Sequence, residues 1–295
     1  MRKRILPIII VLMIVAGLSL LLYPTVSDYL HELSYRRTVS EYNTNVEPLD
    51  GEEYEELLEA ARAYNERLAE KNRFTLALPE EEQAEYNSLL AVDSTGVMGY
   101  VSIPKVNITL PIYHGTGDDA LQNGVGHLEG SSLPVGGPDT HAVLSGHTGL
   151  PSAKLFTNID QLVVGDTFTV QVLKETLTYQ VDQILVVLPS ETDALRIEPG
   201  EDYCTLLTCT PYGINSHRLL VRGRRVSAPA QEASPNIVEE ALGLDDGRLF
   251  GLNAEWAILI IAVLIAAALL AALLWRKRAK RPKENENSNQ EPPEP

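Results

Sequence analysis

The segment that most constrains the fold of this chain is residues 205–223, TLLTCTPYGINSHRLLVRG. An apolar, β-branched run ends at Cys209, a turn containing proline and glycine follows, and a second apolar run begins at Arg218. This pattern predicts two antiparallel strands joined by a loop. The thiol of Cys209 and the guanidinium of Arg218 would then face each other across the open end of a hairpin.

Two apolar runs near the ends of the chain predict membrane spans. Residues 5–23 form a 19-residue run without a charge, and three basic residues precede it. Residues 256–275 form a second run of 20 residues, bracketed by Trp256 and Trp275 and followed by six basic residues. At 1.5 Å per residue both are long enough to cross a hydrocarbon core of ~30 Å.

The basic flanks predict how the chain is oriented. Because they lie at the outer ends of both runs, the positive-inside rule places residues 1–4 and 276–295 in the cytoplasm and residues 24–255 outside. A cleaved signal peptide is the alternative for residues 5–23. The run is long for that role and no clear cleavage site follows it, so we favour an uncleaved anchor. The tail after the basic flank has a disordered composition.

The exterior part of the chain is strongly acidic. It carries 15 basic and 36 acidic residues, whereas the whole chain has a net charge of −16. Such a surface repels anionic polymers, so we expect no nucleic-acid partner.

Residues 24–95 are predicted to form a helical and lid-like region before the main domain. Within residues 27–72, apolar positions recur at helical spacing amid glutamate and arginine, and this pattern predicts an amphipathic helix packed on the domain. The recurring positions are Tyr54, Leu57, Leu58, Ala61, Tyr64 and Leu68. Residues 74–94, which contain Pro79 and an acidic cluster, are interpreted as a loop lying across the domain.

Residues 96–227 change to a β pattern. Alternating or β-branched runs are separated by short proline and glycine clusters. They cover residues 99–103, 107–113, 142–147, 167–173, 177–188, 203–209 and 218–226. Seven or eight strands in about 130 residues favour a mainly β, closed barrel over a parallel α/β sheet. Residues 228–255 are interpreted as a linker.

The two cysteines are predicted to be free. Cys204 and Cys209 are five residues apart in one extended run, which places them ~16 Å apart and on opposite faces. A disulfide needs Cα atoms within about 7 Å. We expect Cys204 to be buried and inert, and Cys209 to be accessible at the end of its strand.

A nucleophilic cysteine needs a partner that favours the thiolate and a donor for the oxyanion. Among the six histidines, His147 is distinctive because it ends an apolar strand and enters a Gly-Pro turn, so it should lie at the barrel rim. The remaining histidines have structural interpretations. Arg218 opens a strand across the turn from the thiol, although an arginine there is also a common surface cation.

Two segments resemble a known family. LSGHTGLP, around His147, and TLLTCTPYGINSHRLLVRG are similar to the signature segments of sortases, the membrane-bound cysteine transpeptidases of Gram-positive bacteria. GVMGYVSIPKVNITLPIYHGT also resembles the first strands of that domain, and the likeness covers residues 96–226. The helical extension and the second predicted span resemble the pilin-polymerising branch, class C.

The resemblance implies a fold and a set of roles. The fold would be the eight-stranded sortase-type β-barrel, with N-terminal helices and two flanking transmembrane helices. Cys209 would be the nucleophile, His147 the general acid/base, and Arg218 the oxyanion and substrate-positioning donor. Thr208 matches a position that helps to bind the substrate. Class C members commonly carry a lid with an Asp-Pro-aromatic motif, which residues 74–94 lack, although Phe74 is an aromatic residue there.

The reaction implied is cleavage of an LPXTG-type sorting signal between Thr and Gly, followed by transfer of the acyl group from a Cys thioester to an amine. The donors would be pilin or surface proteins, and the acceptor a pilin lysine. A housekeeping sortase using the amine of a peptidoglycan precursor, a membrane-bound cysteine peptidase and a non-catalytic surface scaffold stay as alternatives. We expect no cofactor and no metal site, because the carboxylates lack calcium-loop spacing and no His/Cys cluster has zinc spacing.

Overall fold

The computed structural model describes residues 2–71, 75, 78–150, 153–227, 248–249 and 252–253. The chain divides into two units, residues 1–23 with 246–295, and residues 24–245. In the first unit, helix α1 (Arg2–Val46) begins, and two short strands, Arg248–Leu249 and Leu252–Asn253, pair as an antiparallel hairpin. The second unit contains the barrel.

The two predicted membrane spans differ in how far the structure covers them. Residues 5–23 lie within α1, whereas residues 256–275 lie outside the described residues, as do most of the linker and the tail. Within the described ranges, no helix is both long and apolar enough to cross a bilayer. Both spans stay predictions.

Eight strands close into a barrel in the order β1-β2-β3-β4-β7-β8-β6-β5, which confirms the mainly β, closed-barrel prediction. The strands are β1 (Val97–Ile103), β2 (Ile108–His114), β3 (Val125–His127), β4 (Thr140–Ser145), β5 (Thr167–Val172), β6 (Glu175–Val187), β7 (Asp202–Thr210) and β8 (His217–Arg225). The pairs β2–β3 and β4–β7 are parallel, and the remaining six pairs of neighbouring strands in the barrel are antiparallel.

The barrel interior is filled by side chains that alternate along the strands, as a two-residue period requires. In β5 and β6, the stacked rings of Phe168 and Tyr179 have centroids 5.6 Å apart. They lie against Gly223 of β8, where a Cβ would be 2.6 Å from the Phe168 ring. A glycine at this position therefore lets the two rings fill the centre of the barrel.

Helix α1 packs on the barrel along one stripe. Tyr35, Val39, Tyr42 and Val46 are buried and recur at intervals of four and three residues, the spacing of one helix face. The Tyr42 hydroxyl donates to the Met98 carbonyl of β1 at 3.0 Å and accepts from the Leu173 N–H at 2.7 Å. The stripe and this buried hydroxyl fix the helix to the strands beneath it.

Helix α2 (Gly51–Lys71) begins at an aspartate cap and presents the predicted apolar face. Asp50 Oδ1 accepts hydrogen bonds from the N–H groups of Glu52 and Glu53, which satisfies two free donors of the first turn. Four of the predicted apolar positions are buried, namely Leu58, Ala61, Tyr64 and Leu68, and Tyr54 and Leu57 pack at the edge of the core. The prediction of an amphipathic helix on the domain is confirmed.

The prediction of a loop over residues 74–94 is wrong for the middle of this segment, which forms helix α3 (Glu80–Ser88). Three glutamates in its first turn face the positive end of the helix dipole, a favourable arrangement. Helix α4 is Asp118–Asn123, and 3₁₀ turns span Pro104–Val106, Ile159–Gln161 and Asp193–Leu195. Phe74 lies outside the described residues.

Candidate active site

Cys209 is the penultimate residue of β7 and is half-buried. Strand alternation places it on the outer face of the barrel, opposite to Cys204 and Leu206, which belong to the interior core. Leu207, on the Cys209 side, packs instead in a separate apolar cluster. The thiol therefore lies at the end of a strand, on the outside of the barrel wall.

Arg218 lies directly opposite Cys209 on the neighbouring strand. The two residues are register partners in the antiparallel β7–β8 pair, and such partners project from the same face with Cβ atoms ~5 Å apart. Nη1 of Arg218 donates to the main-chain carbonyls of Asn215 at 3.3 Å and His217 at 3.1 Å. A guanidinium has five N–H groups, so Nε and Nη2 carry three further donors.

His147 follows the end of β4 by two residues. Strand β4 is parallel to β7, with Ser145 in register with Leu207, and the Gly146 N–H donates to the Leu207 carbonyl at 3.0 Å. Continuing this register by two residues aligns His147 with Cys209. Neighbouring strands lie ~4.8 Å apart, so the alignment brings the half-buried imidazole to the side of Cys209 opposite to β8.

The segment after His147 is held by Phe156. The Phe156 N–H donates to the His147 carbonyl at 3.0 Å, and its fully buried ring lies against Gly146, where a Cβ would be 2.6 Å from the ring. Gly149 adopts φ +75°, and a Cβ there would be 3.1 Å from the ring of Tyr212. Tyr212 belongs to the β7–β8 turn, so this ring connects the turn after Cys209 with the segment after His147.

Thr208 supports the site from inside the wall. Its side chain is buried, and its hydroxyl donates to the Gly146 carbonyl at 2.7 Å. The bond joins the residue before Cys209 to the residue before His147. A role for Thr208 in binding substrate stays a prediction, and what the structure shows is a connection between the two strands.

An apolar cluster on the outer face lies next to Cys209. Its buried members are Leu128, Val143, Leu195 and Leu220, and partly buried side chains pack against them. Leu195 comes from the connection between β6 and β7, which therefore covers this face. The apolar side chains of Val186, Leu188, Tyr212 and Ile214 are exposed. On β6, Val186 projects from the face opposite to Arg218, whereas Val187, the register partner of Arg218, packs in the cluster on the Arg218 face, where an apolar ligand would be accommodated.

The connection between β6 and β7 is fixed by His141 and Arg222. His141 Nδ1–H donates to the Arg196 carbonyl at 2.8 Å, and the Thr205 hydroxyl donates to Nε2 at 2.7 Å. Arg222 bonds Asp182 and Glu198 and stacks over the Tyr203 ring, 4.0 Å from its centroid. Burial lowers the pKa of His141 to about 4, so the imidazole is neutral at pH 7.

The remaining groups have the structural roles that the sequence suggested. His127 is buried between the Tyr86 hydroxyl and the Ser132 carbonyl, and burial lowers its pKa to about 4. His114 contacts the carbonyls of Gly96 and Leu89. Cys204 is fully buried, which raises the pKa of its thiol, and both cysteines are free as predicted.

The described part of residues 74–94 is attached beside β2 and β3. Arg67 and Lys71 of α2 pair with Glu85 and Glu82 of α3. The Tyr86 hydroxyl accepts from the Gly115 N–H in addition to its contact with His127. These contacts anchor α3 to the domain, and the idea that the segment crosses the active site stays a prediction.

Comparisons with known proteins point to one family. Residues 101–226 match the family model of the sortase domain. Sortase C1 from Streptococcus agalactiae superposes with a TM-score of 0.63 and is 52% identical, over 65% of this chain and 98% of that one. A sortase C from Clostridium perfringens, solved with the C-terminal cell wall sorting motif, superposes with a TM-score of 0.57. It is 48% identical, over 65% of this chain and 98% of that one. Among curated relatives, sortase D from Bacillus subtilis is 28% identical over 149 residues, 50% of this chain and 72% of that protein.

Proposed function

Since this chain belongs to the sortase family of cysteine transpeptidases and its structural neighbours are class C sortases, we propose that it is a membrane-anchored enzyme of pilus assembly. It cleaves an LPXTG-type sorting signal between Thr and Gly and transfers the acyl group to a pilin lysine. The register pairing of Cys209 with Arg218 carries this proposal. It sets a nucleophile beside a forked cation at the open end of a hairpin.

The first half-reaction forms a thioester. The Cys209 thiolate attacks the carbonyl carbon of the signal's threonine, and N–H groups of Arg218 stabilise the tetrahedral oxyanion. His147, as the imidazolium, donates its proton to the leaving glycine amine as the C–N bond breaks. The products are an acyl thioester on Cys209, a neutral imidazole and a free glycine amine.

The second half-reaction returns the enzyme to its starting state. An incoming amine attacks the thioester carbonyl, and His147 removes the proton from that amine. The C–S bond breaks and Cys209 leaves as the thiolate. The apolar side chains beside Arg218 support this assignment, because a sorting signal begins with leucine and proline and needs an apolar surface.

The two predicted spans would place the enzyme in the plane of its substrates. Proteins with a sorting signal are themselves held in the membrane by an apolar tail. Anchoring both partners raises their effective concentration without any additional contact. In this arrangement residues 24–255 are extracytoplasmic and both termini are cytoplasmic.

A test of the proposal separates transfer from hydrolysis. The full chain is mixed with an LPXTG peptide, with and without a lysine-containing peptide, and products are identified by mass spectrometry. Transfer predicts faster turnover and an isopeptide conjugate when the amine is present. Free acid alone would favour a peptidase, and conjugation only to a peptidoglycan-type amine would favour the housekeeping role.

The chain supplies its own control cysteine for this test. Cys204→Ala should keep the conjugate product because that thiol is buried and lies on the opposite face. Cys209→Ala should give none. Unchanged function in Cys209→Ala would instead support a non-catalytic scaffold.

A further inference from the structure

We propose that Asp28 of α1 is a positioning residue for the catalytic histidine. Residue 28 comes five residues after the first predicted span, so it belongs to the part of α1 next to the membrane. Its carboxylate holds the segment that follows His147. This inference rests on the proposed function, and it adds that the juxtamembrane helix forms part of the catalytic apparatus.

Asp28 contacts Lys154 twice. Oδ1 accepts a hydrogen bond from the Lys154 main-chain N–H at 2.8 Å, and Oδ2 lies 3.1 Å from the Lys154 ammonium. The Asp28 side chain is 23% exposed, whereas the Lys154 side chain is 70% exposed. An exposed ion pair contributes little, so the main-chain bond to the more buried carboxylate is the contact that fixes the segment.

Hydrogen bonds continue from Lys154 to the residues around His147. The Lys154 carbonyl accepts from both the N–H and the hydroxyl of Thr157. The same Thr157 hydroxyl accepts from the Gly149 N–H at 3.1 Å. One residue earlier, Phe156 donates its N–H to the His147 carbonyl. Hydrogen bonds made by the turn from Lys154 to Thr157 therefore connect Asp28 to the main chain of His147 and of Gly149.

The helix that carries Asp28 is itself fixed to the barrel. Asp28 is seven residues, two helical turns, before Tyr35, so it lies on the face whose buried side chains pack on the strands. The Tyr42 hydroxyl bonds two main-chain groups of the barrel on the same face. A helix bonded to the barrel at one end of the path and a paired strand, β4, at the other restrict the position of the His147 segment.

The position of the imidazole decides how well it exchanges protons with Cys209 and the substrate amine. A displacement of about 1 Å in a catalytic group costs up to a hundredfold in rate. Loss of the Asp28 carboxylate should act on the chemical step more than on substrate binding, because the apolar surface beside Arg218 does not include this segment. The signature is a lower kcat with a nearly unchanged KM.

The experiment compares variants of the full chain. Asp28→Ala should lower kcat for cleavage of an LPXTG peptide by about tenfold, and should alter the pH profile of Cys209 alkylation, which reports the thiol–imidazole couple. Asp28→Asn keeps an oxygen acceptor for the Lys154 N–H and should recover most of the rate. Lys154→Ala keeps the main-chain N–H and should stay near wild type.

The matched control is Glu41→Ala, which removes a carboxylate of the same helix that pairs only with exposed Arg37 among the contacts described. It should behave as wild type in both assays. Thr157→Val removes the hydroxyl that links the Lys154 carbonyl to the Gly149 N–H, and it should reproduce the loss in kcat. This second variant keeps the inference testable even if Asp28→Ala does not fold.

Hydrogen exchange measured without substrate separates this inference from the proposed function. Asp28→Ala should speed amide exchange in residues 147–157 and leave β7 and β8 unchanged. The inference would be overturned if Asp28→Ala or Thr157→Val matched Glu41→Ala in kcat, in the pH profile of Cys209 alkylation and in amide exchange. A wild-type chain that makes no conjugate would overturn the proposed function, while exchange would still test the contact.

Discussion

Cys209 of β7 and Arg218 of β8 are direct register partners at the open end of one hairpin. Eight residues separate them along the chain, yet the antiparallel pairing brings their side chains to one face. The relationship depends only on the turn between the strands and on the ladder of the hairpin. It explains how a thiol and a guanidinium are positioned together by the pairing of two consecutive strands.

Replacement of Arg218 should reduce the rate of acyl transfer. Arg218→Ala removes the proposed oxyanion donor and should lower kcat by about a hundredfold, since one such donor contributes roughly 3 kcal/mol. Arg218→Lys keeps the charge but loses the fork, so it should recover only part of the rate. Steady-state kinetics with an LPXTG peptide measure both.

Arg224→Ala is the control for that prediction. Arg224 lies on the same face of β8, but its exposed side chain pairs with the half-buried Glu201 at the far end of the strand. It should keep the wild-type rate. An equal loss in Arg224→Ala and Arg218→Ala would mean that the charge of the strand matters and the position does not.

A side chain at Gly146 should displace the segment around His147. In Gly146→Ala the new Cβ would lie 2.6 Å from the fully buried ring of Phe156, whose main-chain N–H donates to the His147 carbonyl. We expect a loss of about 1–3 kcal/mol in the free energy of unfolding and a lower rate of Cys209 alkylation. Gly51→Ala, with no atom within 4 Å of its Cβ, should lower neither. Unaltered stability in Gly146→Ala would contradict the packing described.

The buried hydroxyl of Thr208 should contribute to stability through its bond to the Gly146 carbonyl. Thr208→Val keeps the side-chain shape but leaves that carbonyl without this donor, and should cost about 1–3 kcal/mol in the free energy of unfolding. Thr208→Ser should retain most of the wild-type value. Urea unfolding followed by circular dichroism measures all three proteins, and equal midpoints for the valine and serine variants would argue against the bond.

Stability should fall in mild acid because His127 and His141 are buried as neutral imidazoles. Burial lowers both folded-state pKa values to about 4, whereas an unfolded histidine titrates near 6.5. Between these values the unfolded chain binds more protons than the folded one. Each histidine therefore contributes about 3 kcal/mol to the free energy of unfolding. This contribution is complete above about pH 6.5 and is lost as the pH falls to about 4.

The variant His141→Gln isolates one of these contributions. Burial raises the pKa of Asp202, so protonation of that carboxyl acts in the opposite direction, and the comparison with wild type cancels it. The midpoint of urea unfolding should fall less between pH 7 and pH 4.5 in His141→Gln than in wild type. The same fall in both proteins would show that His141 is not buried as a neutral group.

The strands could be predicted from sequence wherever an apolar run exceeded about five residues. β3 was missed because it has only three residues, Val125–His127, with a glycine in the middle, and its pairing with β2 and β4 is decided by the rest of the barrel. The sequence of α3 predicts a loop because its nine residues contain few apolar positions. In both cases tertiary contacts, and not local pattern, determine the element.

For the candidate site, the hairpin made the pairing of Cys209 with Arg218 predictable, since its register follows from a short turn. The alignment of His147 with Cys209 depends on the parallel pairing of β4 and β7, strands about 60 residues apart that share no local signal. The contacts of Tyr212 with Gly149 and of Asp28 with Lys154 join equally distant segments. Only the assembled barrel reveals them.

The central claim is that the sulfur of Cys209 carries the acyl group. Intact-mass spectrometry of the full chain, quenched in acid during turnover of an LPXTG peptide, tests it most directly. The account predicts a mass increase equal to the peptide up to its threonine, mapped to Cys209, absent in Cys209→Ala and discharged by added amine. An active chain whose adduct is absent, or is mapped to another residue, would contradict the account.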